Sequence, residues 1–232
     1  MKEKKVTFKI LRHKPAVIDP PEYQEFELSV YKNMSVLDCL EKIRLEQAPS
    51  LMYRHSCHHS SCGTCACKIN GQEKLTCITN VFALANEKIV LEPLDGFEQI
   101  GDLVCDMHHF YLDISPGWTY LKTADKLNSS DLRDDIQAYT RLENCIECGA
   151  CVSACPVVSK NRDFMGPAAL AAIHNEMKKS PLKKTDLMTL AGGKRGESCC
   201  ERALLCSRVC PTAVYPARHI ADLRRMLKKS RD

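Results

Sequence analysis

Residues 57–65 read Cys57-His58-His59-Ser60-Ser61-Cys62-Gly63-Thr64-Cys65, and a fourth cysteine, Cys77, follows further along the chain. A Cys-x4-Cys-x2-Cys run with a distant fourth cysteine is the spacing of plant-type 2Fe–2S sites. The three close thiolates must wrap around one side of a small inorganic core, and the short residues between them let backbone N–H groups face the sulfurs. The stretch therefore predicts a 2Fe–2S cluster on Cys57, Cys62, Cys65 and Cys77.

Two other metal sites fit this stretch less well. Structural zinc favours paired Cys-x2-Cys knuckles, which this spacing does not supply. A Rieske centre needs two histidine ligands, and the residues after Cys77 offer no second one. His58 and His59 are accordingly predicted to be loop residues beside the cluster and not ligands.

Two further cysteine motifs follow, and each ends in Cys-Pro. The first reads Cys145-x2-Cys148-x2-Cys151-x3-Cys155-Pro156, and the second reads Cys200-x5-Cys206-x3-Cys210-Pro211. In the bacterial ferredoxin run the fourth cysteine ligates the other cluster. This cross-over predicts a 4Fe–4S cluster on Cys145, Cys148, Cys151 and Cys210, and a third cluster on Cys155, Cys200 and Cys206.

The third site has three cysteines because Ala203 occupies the position where a fourth is expected. A cube with three protein ligands commonly lacks one iron, so the prediction is a 3Fe–4S cluster. Cys199 leaves an alternative open, since a thiol reaching the vacant corner would complete a 4Fe–4S cube. Three cysteines outside the motifs, Cys39, Cys67 and Cys105, are predicted to be small buried hydrophobes.

The composition agrees with metal ligation in a reducing compartment. Fifteen of the 232 residues are cysteine, and the first residues show no apolar secretory stretch. No apolar run is long enough to cross a bilayer, so we expect a cytoplasmic chain. A net charge of +4 gives no support for a nucleic-acid partner. Basic residues near the C-terminus, Arg218 to Arg231, indicate either a solvated helix face or a contact with anionic lipid or an acidic subunit.

The hydrophobic pattern predicts an α+β protein with two domains, 1–104 and 105–232. Strands are predicted at Val6–Leu11, Tyr23–Val30, Ala66–Ile69, Glu73–Thr76 and Lys88–Leu91, with a hairpin turn at Asn70-Gly71. A helix capped by Ser35 and ending near Gln47 is expected to bury Leu37, Leu40, Ile43 and Leu45. Later helices are predicted at Leu103–Leu112, Asp131–Leu142, Pro167–Lys178 and Pro216–Lys229, with a polar linker over 115–130.

The chain resembles the iron–sulfur subunit of the succinate dehydrogenase/fumarate reductase family over nearly its whole length. The resemblance rests on the 57–65 run, on Ile69-Asn70-Gly71, on Cys145-Ile146-Glu147-Cys148-Gly149-Ala150-Cys151 and on Phe164-Met165-Gly166-Pro167. It implies an N-terminal β-grasp ferredoxin domain and a C-terminal all-α helical ferredoxin domain. It also implies electron transfer between FAD in a flavoprotein subunit and a quinone at membrane anchor subunits, for which haem b is a candidate group.

Three positions depart from the ubiquinone-reducing members of that family. Ser159 and Lys160 stand where those members carry tryptophan, and Glu201 stands where they carry histidine. These departures indicate a menaquinone-type site or an acceptor other than quinone. The resemblance places the chain at the inner face of the cell membrane with peripheral contact only, and it leaves open whether succinate is oxidised or fumarate reduced.

No catalytic residue is predicted in this chain, because it contains no serine–histidine–acid pattern and no Gly-rich phosphate loop. Two alternatives to the flavin–quinone relay remain. In one, the same clusters pass electrons between a flavin dehydrogenase and a cysteine-rich thiol/disulfide module. In the other, the cysteines bind zinc and only stabilise an interaction scaffold.

Overall fold

The structure is a computed structural model that describes residues 3–84, 86–115 and 145–230. The chain divides into two compact units, the first formed by residues 1–107 with 147–154 and the second by residues 108–146 with 155–232. The second cysteine motif is thereby shared between the two units. The domain limits expected from the sequence, 1–104 and 105–232, stay a prediction.

The first unit is built on a five-stranded sheet. Its elements are β1 (Glu3–Lys14), β2 (Ile18–Tyr31), α1 (Val36–Glu46), β3 (Ala66–Ile69), β4 (Gln72–Leu75), β5 (Lys88–Glu92), β6 (Glu98–Gly101), β7 (Val104–Asp106) and α3 (Ala150–Ser153). The strand order is β2-β1-β5-β3-β4, with β1 parallel to β5 and the other neighbours antiparallel. Strands β6 and β7 form a separate antiparallel pair.

The predicted hairpin and the predicted first helix are confirmed by their backbone details. Asn70 and Gly71 both have positive φ, 52° and 73°, as a two-residue turn between twisted strands requires. The Ser35 side chain accepts from the Asp38 backbone N–H, and the Asp38 carboxylate accepts from the Ser35 N–H, which completes a capping box. Local sequence therefore determines where both elements begin.

The core of the first unit lies between α1 and the sheet. Leu37, Leu40 and Ile43 are buried, but the prediction for Leu45 is wrong, since its side chain is 74% exposed. Positions 37, 40 and 43–44 fall on one helical face, and position 45 is turned away from it. The apolar side chains of β1 and β2 that alternate toward α1, among them Phe8 and Ile10, are fully buried.

The predicted helix over Leu103–Leu112 is wrong in its first half. Residues Val104–Asp106 form β7, and only His108–Leu112 is helical, as α2. Strand β7 forms because it pairs with β6, a partner that local propensity does not reveal. The Asp131–Leu142 helix and nearly all of the polar linker lie outside the described residues.

The second unit is helical in its described part. Its α-helices are α2 (His108–Leu112), α4 (Gly166–Lys179), α5 (Lys184–Gly192), α6 (Leu205–Arg208) and α7 (Pro216–Lys229). Helices α4 and α7 pack together, and Leu170, Ile173 and Leu223 are fully buried. The sequence predicts both of these helices and misses α5 and α6. Among the described residues, none of the helices combines the length and the apolar character that a bilayer crossing needs.

Candidate metal centres

The first site lies in the loop between α1 and β3, with Cys77 following β4. The thiol of Cys57 accepts three backbone N–H groups, from His59 at 3.5 Å, Ser61 at 3.2 Å and Cys62 at 3.3 Å. These donors lower the pKa of Cys57 to about 7, His59 most of all, and the Cys62 thiol adds to the effect. The loop therefore favours the thiolate form that an iron cluster requires.

The backbone of this loop has a specific reason to present its N–H groups. His58, Ser60 and Gly63 have positive φ, 61°, 61° and 69°, so left-handed residues recur at short intervals. Such alternation turns successive N–H groups toward one concave side, which is the geometry of an anion-binding nest. The small and polar residues that the sequence places between the cysteines permit this winding.

The structure brings the four predicted ligands of the first site together. Burial, above all, and a hydrogen bond with the Cys65 thiol together raise the pKa of Cys77 to about 11. Cys57 contacts Cys62 and acts electrostatically on Cys77. Four converging thiols, one of them surrounded by N–H donors, fit a four-thiolate cluster better than an isolated zinc knuckle.

The second motif begins with another left-handed turn. Glu147 and Gly149 have positive φ of 52° and 79°, on either side of Cys148. Helix α3 follows, and its Ser153 side chain accepts from the Asp95 N–H and donates to the Glu73 carboxylate. In the other unit, Val214 N–H donates to the Cys210 thiol at 3.3 Å. Because the four cysteines belong to both units, their shared ligation stays a prediction.

The third site is a cavity of about 420 Å³ whose wall includes the thiol-bearing residues Cys155, Cys200 and Cys206. Burial raises the pKa of Cys206 to about 11, and the nearby Cys155 and Cys200 thiols add to the shift. Burial also raises the pKa of Cys155, although hydrogen bonds from the backbone N–H groups of Val158 and Val157 partly offset the rise. Three thiols that interact electrostatically within one cavity could bind a shared inorganic cluster. The backbone N–H groups would stabilise the negative charge on its sulfur ligands.

Ala203 lines the same cavity, between Arg202 and Leu204, both with φ of 61°. The thiol of Cys199 lies elsewhere and donates to the carbonyl oxygen of Lys194 at 3.2 Å. This placement favours the three-cysteine ligand set over the alternative in which Cys199 completes a cube.

Arg224 connects helix α7 to the segment that carries Cys200. Its Nε donates to the Glu197 carboxylate at 2.6 Å, and its terminal nitrogen donates to the carbonyl oxygens of Glu197 at 2.8 Å and Cys200 at 3.0 Å. Sequence reasoning places Arg224 only in a basic C-terminal group and assigns no role to Glu197. The contact spans 27 residues, so no local pattern could have indicated it.

Three of the four cysteines outside the motifs are buried, as predicted. Cys39, Cys67 and Cys105 are at most 3% exposed, and burial raises the pKa of all three, to about 12 for Cys39. A buried, protonated thiol behaves as a small hydrophobe and not as a ligand.

Sequence reasoning also misses a group of three side chains beside the first site. Glu41 on α1 lies close to His55 and His58, although the sequence predicts His58 as a plain loop residue. No spacing signal connects position 41 with positions 55 and 58, because α1 and the following loop meet only in the folded unit.

These features define a class of protein, an iron–sulfur electron carrier with a sheet-based 2Fe–2S domain and a helical domain for two further clusters. Residues 7–112 match the family model described as a 2Fe–2S iron-sulfur cluster binding domain. Residues 141–214 match the model described as a 4Fe–4S dicluster domain.

Curated relatives give the particular family. The chain is 32% identical over 220 residues to the fumarate reductase iron-sulfur subunit of Escherichia coli O6:H1, covering 92% of this chain and 89% of that protein. It is 30% identical to the fumarate reductase iron-sulfur subunit of Haemophilus influenzae, covering 90% and 87%. The chain belongs to the family of iron–sulfur subunits of succinate dehydrogenase and fumarate reductase, which are oxidoreductase complexes.

Two further similarities concern a longer relative and a solved structure. The chain is 30% identical to a Methanothermobacter marburgensis protein named as a subunit of fumarate reductase (CoM/CoB), and it spans 44% of that protein's length. Among solved structures, a chain of the Mycobacterium smegmatis Sdh1 complex in the apo form has a TM-score of 0.77 at 21% identity, with 99% of this chain and 98% of that one covered. At 21% identity, this structural similarity shows a shared fold and nothing further.

Proposed function

We propose that this chain relays electrons between the FAD of a flavoprotein subunit and a quinone within a succinate dehydrogenase or fumarate reductase complex. Each bound iron–sulfur cluster would take up and release single electrons. The protein's own part is to hold the clusters in order and to tune them through burial, thiolate charge and N–H donors to sulfur. The chain itself contributes no acid, base or nucleophile to the substrate reaction.

The ligand sets are part of the proposal. Cys57, Cys62, Cys65 and Cys77 would hold the 2Fe–2S cluster. Cys145, Cys148, Cys151 and Cys210 would hold the 4Fe–4S cluster, and Cys155, Cys200 and Cys206 the 3Fe–4S cluster. We also propose the finer fold names, with β-grasp for the first unit and a helical ferredoxin fold for the second. The mixed sheet with β1 parallel to β5 and covered by α1 supports the first name.

The observation that carries this proposal is the convergence of Cys155, Cys200 and Cys206 on a single cavity. Apart from the thiols, the cavity wall contains Phe164, Val157 and Ile220. Basic residues of α7, Arg225 and Lys228, also line it. A largely apolar wall with a few polar groups is the usual form of a site for a small organic ligand. A quinone would therefore occupy the part of this cavity that the cluster leaves free.

Glu201 lines this cavity, at the position where ubiquinone-reducing relatives are expected to carry histidine. We therefore propose a menaquinone-type acceptor. Leu204 and Tyr215, 52% and 51% exposed, lie close in sequence to the third-site cysteines and are available to anchor subunits. These side chains support contact with a partner, and we propose that the contact is peripheral attachment at the inner face of the cell membrane, with haem b a candidate group of the anchors.

A thiol/disulfide module is a second candidate acceptor. The specific observation is the similarity to the Methanothermobacter marburgensis protein, whose name pairs fumarate reductase with CoM/CoB. In that case the cavity at the third site would face a cysteine-rich partner in place of a quinone.

The test is anaerobic co-purification of the complete chain from its native cells. We expect a flavin-bearing subunit, succinate-dependent dye reduction, and spin-resonance signals of three clusters. The oxidised third cluster gives a spin-resonance signal that disappears when the cluster is reduced. Loss of this signal on addition of a menaquinol analogue supports the quinone acceptor. Loss with a dithiol but not with the menaquinol analogue supports the thiol module. A colourless protein that holds zinc and no acid-labile sulfide contradicts both relays.

A further inference from the structure

Helix α1 and the loop of the first site bring together three side chains that the cluster does not use. The Nδ1 atom of His55 lies 3.0 Å from the Nε2 atom of His58. One carboxylate oxygen of Glu41 lies 3.8 Å from the former and 3.9 Å from the latter. These three atoms form a compact triangle of two imidazole nitrogens and one carboxylate oxygen.

The dimensions of this triangle match a metal ion. The point in the plane of the triangle that is equidistant from its corners lies about 2.1 Å from each, the usual length of a zinc–nitrogen bond. Tetrahedral coordination with a water would place the ion out of this plane, and it would need the Glu41 carboxylate to move about 0.5 Å toward the two rings. Two histidines with one carboxylate, and one position left for water, form an established donor set for zinc. We propose that Glu41, His55 and His58 bind a Zn²⁺ ion, separate from the cluster thiols.

Each ligand is held by its own local structure. Glu41 projects from the capped helix α1. The His55 ring packs on Tyr53 with centroids 5.4 Å apart, and the Tyr53 hydroxyl accepts from Arg44 Nε at 3.2 Å. His58 has a positive φ of 61°, which belongs to the winding of the cysteine loop. Helix α1, the packing on Tyr53 and the cysteine loop therefore hold the three side chains in place without needing the ion.

The site is accessible to an ion from solution. The side chains of His55, His58 and Glu41 are 37%, 44% and 33% exposed, so a water molecule can fill the remaining coordination position. In the described part of the chain, these residues are also the single group of three histidine, cysteine or acidic side chains close enough to share an ion in this way.

The position gives the ion a consequence for electron transfer. Cys57, a proposed ligand of the 2Fe–2S cluster, lies between His55 and His58 in the sequence. A zinc ion would tie both sides of this ligand to α1 and add positive charge near the cluster. Positive charge favours the reduced cluster, so zinc is expected to raise the reduction potential of the first site and leave the other clusters unchanged.

The test is a zinc titration of the anaerobically purified chain with its iron complement intact. We expect one Zn²⁺ per chain, with no iron released, and an upward shift of the 2Fe–2S potential. Zinc X-ray absorption is expected to show nitrogen and oxygen neighbours at about 2.0–2.1 Å and no sulfur at about 2.3 Å. Glu41→Gln and His55→Gln are each expected to weaken zinc binding at least tenfold.

Two matched variants serve as controls. Glu46→Gln changes an exposed carboxylate on the same helix, and His109→Gln changes an exposed histidine outside the triangle. Both are expected to bind zinc as the parent protein does. Equal zinc affinity in Glu41→Gln and the parent, sulfur neighbours around zinc, or loss of iron in step with zinc uptake would each overturn the proposal. The iron–sulfur spectra of the variants show independently whether the first cluster is intact.

Discussion

The Nδ1 atoms of His174 and His219 lie 3.0 Å apart between helices α4 and α7. One ring must donate and the other accept, so the pair needs at least one neutral ring. Both side chains are at most 4% exposed. Burial lowers the pKa of each to about 4, and the positive charge of Lys178 adds to the effect on both.

This pair predicts acid sensitivity of the second unit. In the unfolded chain both rings accept a proton near pH 6.5, whereas in the folded unit they stay neutral until about pH 4. The unfolded state therefore binds more protons in this window, and stability falls as pH is lowered through it. Each ring contributes up to about 1.4 kcal/mol per pH unit. Thermal denaturation at pH 7 and pH 5 measures the difference.

His219→Gln provides the comparison, because glutamine retains a hydrogen-bonding side chain but does not titrate. Its melting temperature is expected to depend less on pH than that of the parent. Asp222, which favours the protonated form of both rings, remains in place. His109→Gln, at an exposed site, is expected to keep the parent's pH dependence, and an equal loss of dependence in both variants would contradict this account.

The cysteines of the third site predict a selective loss of one cluster. Cys155 belongs by sequence to the second motif, but its thiol acts on Cys206 and lines the cavity with Cys200. Cys155→Ser is therefore expected to reduce the 3Fe–4S signal to less than about a tenth while the 2Fe–2S signal persists. Spin resonance of the oxidised and reduced protein, together with iron content, measures each cluster.

Cys199→Ser is the matched variant, because its thiol donates to the Lys194 carbonyl and lies away from the cavity wall. It is expected to leave all three signals at parental intensity. Loss of the third cluster in Cys199→Ser, or loss of the 4Fe–4S cluster alone in Cys155→Ser, would refute the proposed ligand sets.

Features that depend only on neighbouring residues could be predicted from the sequence. Ser35 and Asp38 cap α1, and Asn70-Gly71 forms the turn, because these features need only a few adjacent residues. Motif spacing alone also grouped the cysteines of the first and third sites, whose thiols act on one another in the structure, and the cluster ligand sets stay a prediction.

The features that the sequence did not predict depend on contacts between separate elements of the fold. Strand β7 forms only because it pairs with β6. Glu41 meets His55 only after the loop has folded onto α1. Such contacts carry no periodic signal, so composition and spacing do not reveal them.

Arg224 predicts a stability effect at the third site. Its guanidinium donates to Glu197, which is nearly buried, and to the carbonyl of Cys200. Arg224→Gln leaves the Glu197 carboxylate without its cation and frees the Cys200 segment, with an expected loss on the order of 2 kcal/mol. We expect faster loss of third-cluster iron on incubation with a chelator, measured by the decay of its spin-resonance signal.

Lys229→Gln controls for the removal of one positive charge from the same helix. Lys229 lies in α7, is exposed and does not line the third-site cavity. The third cluster of this variant is expected to decay at nearly the parental rate. Similar decay in the two variants would mean that net charge, and not the hydrogen bonds of Arg224, stabilises the segment.

Gly149 predicts a steric limit in the second cysteine motif. With φ of 79° it adopts a left-handed conformation, and an added Cβ would lie 2.8 Å from the Met107 Cε atom and 3.2 Å from the Phe97 ring. The end of the flexible Met107 side chain can move aside, so Gly149→Ala adds overpacking mainly against the Phe97 ring, about 1 kcal/mol, to the backbone cost of about 1–2 kcal/mol. We expect a lower melting temperature and reduced occupancy of the 4Fe–4S cluster.

Gly71→Ala separates the two contributions. Gly71 has a similar φ of 73°, but nothing lies within 4 Å of the position of an added Cβ. This variant should lose only the backbone contribution and keep the 4Fe–4S occupancy of the parent. If the two alanine variants melt at the same temperature and bind equal amounts of iron, the contact of Gly149 with Met107 and Phe97 has no energetic weight, because the left-handed backbone alone would then explain both losses.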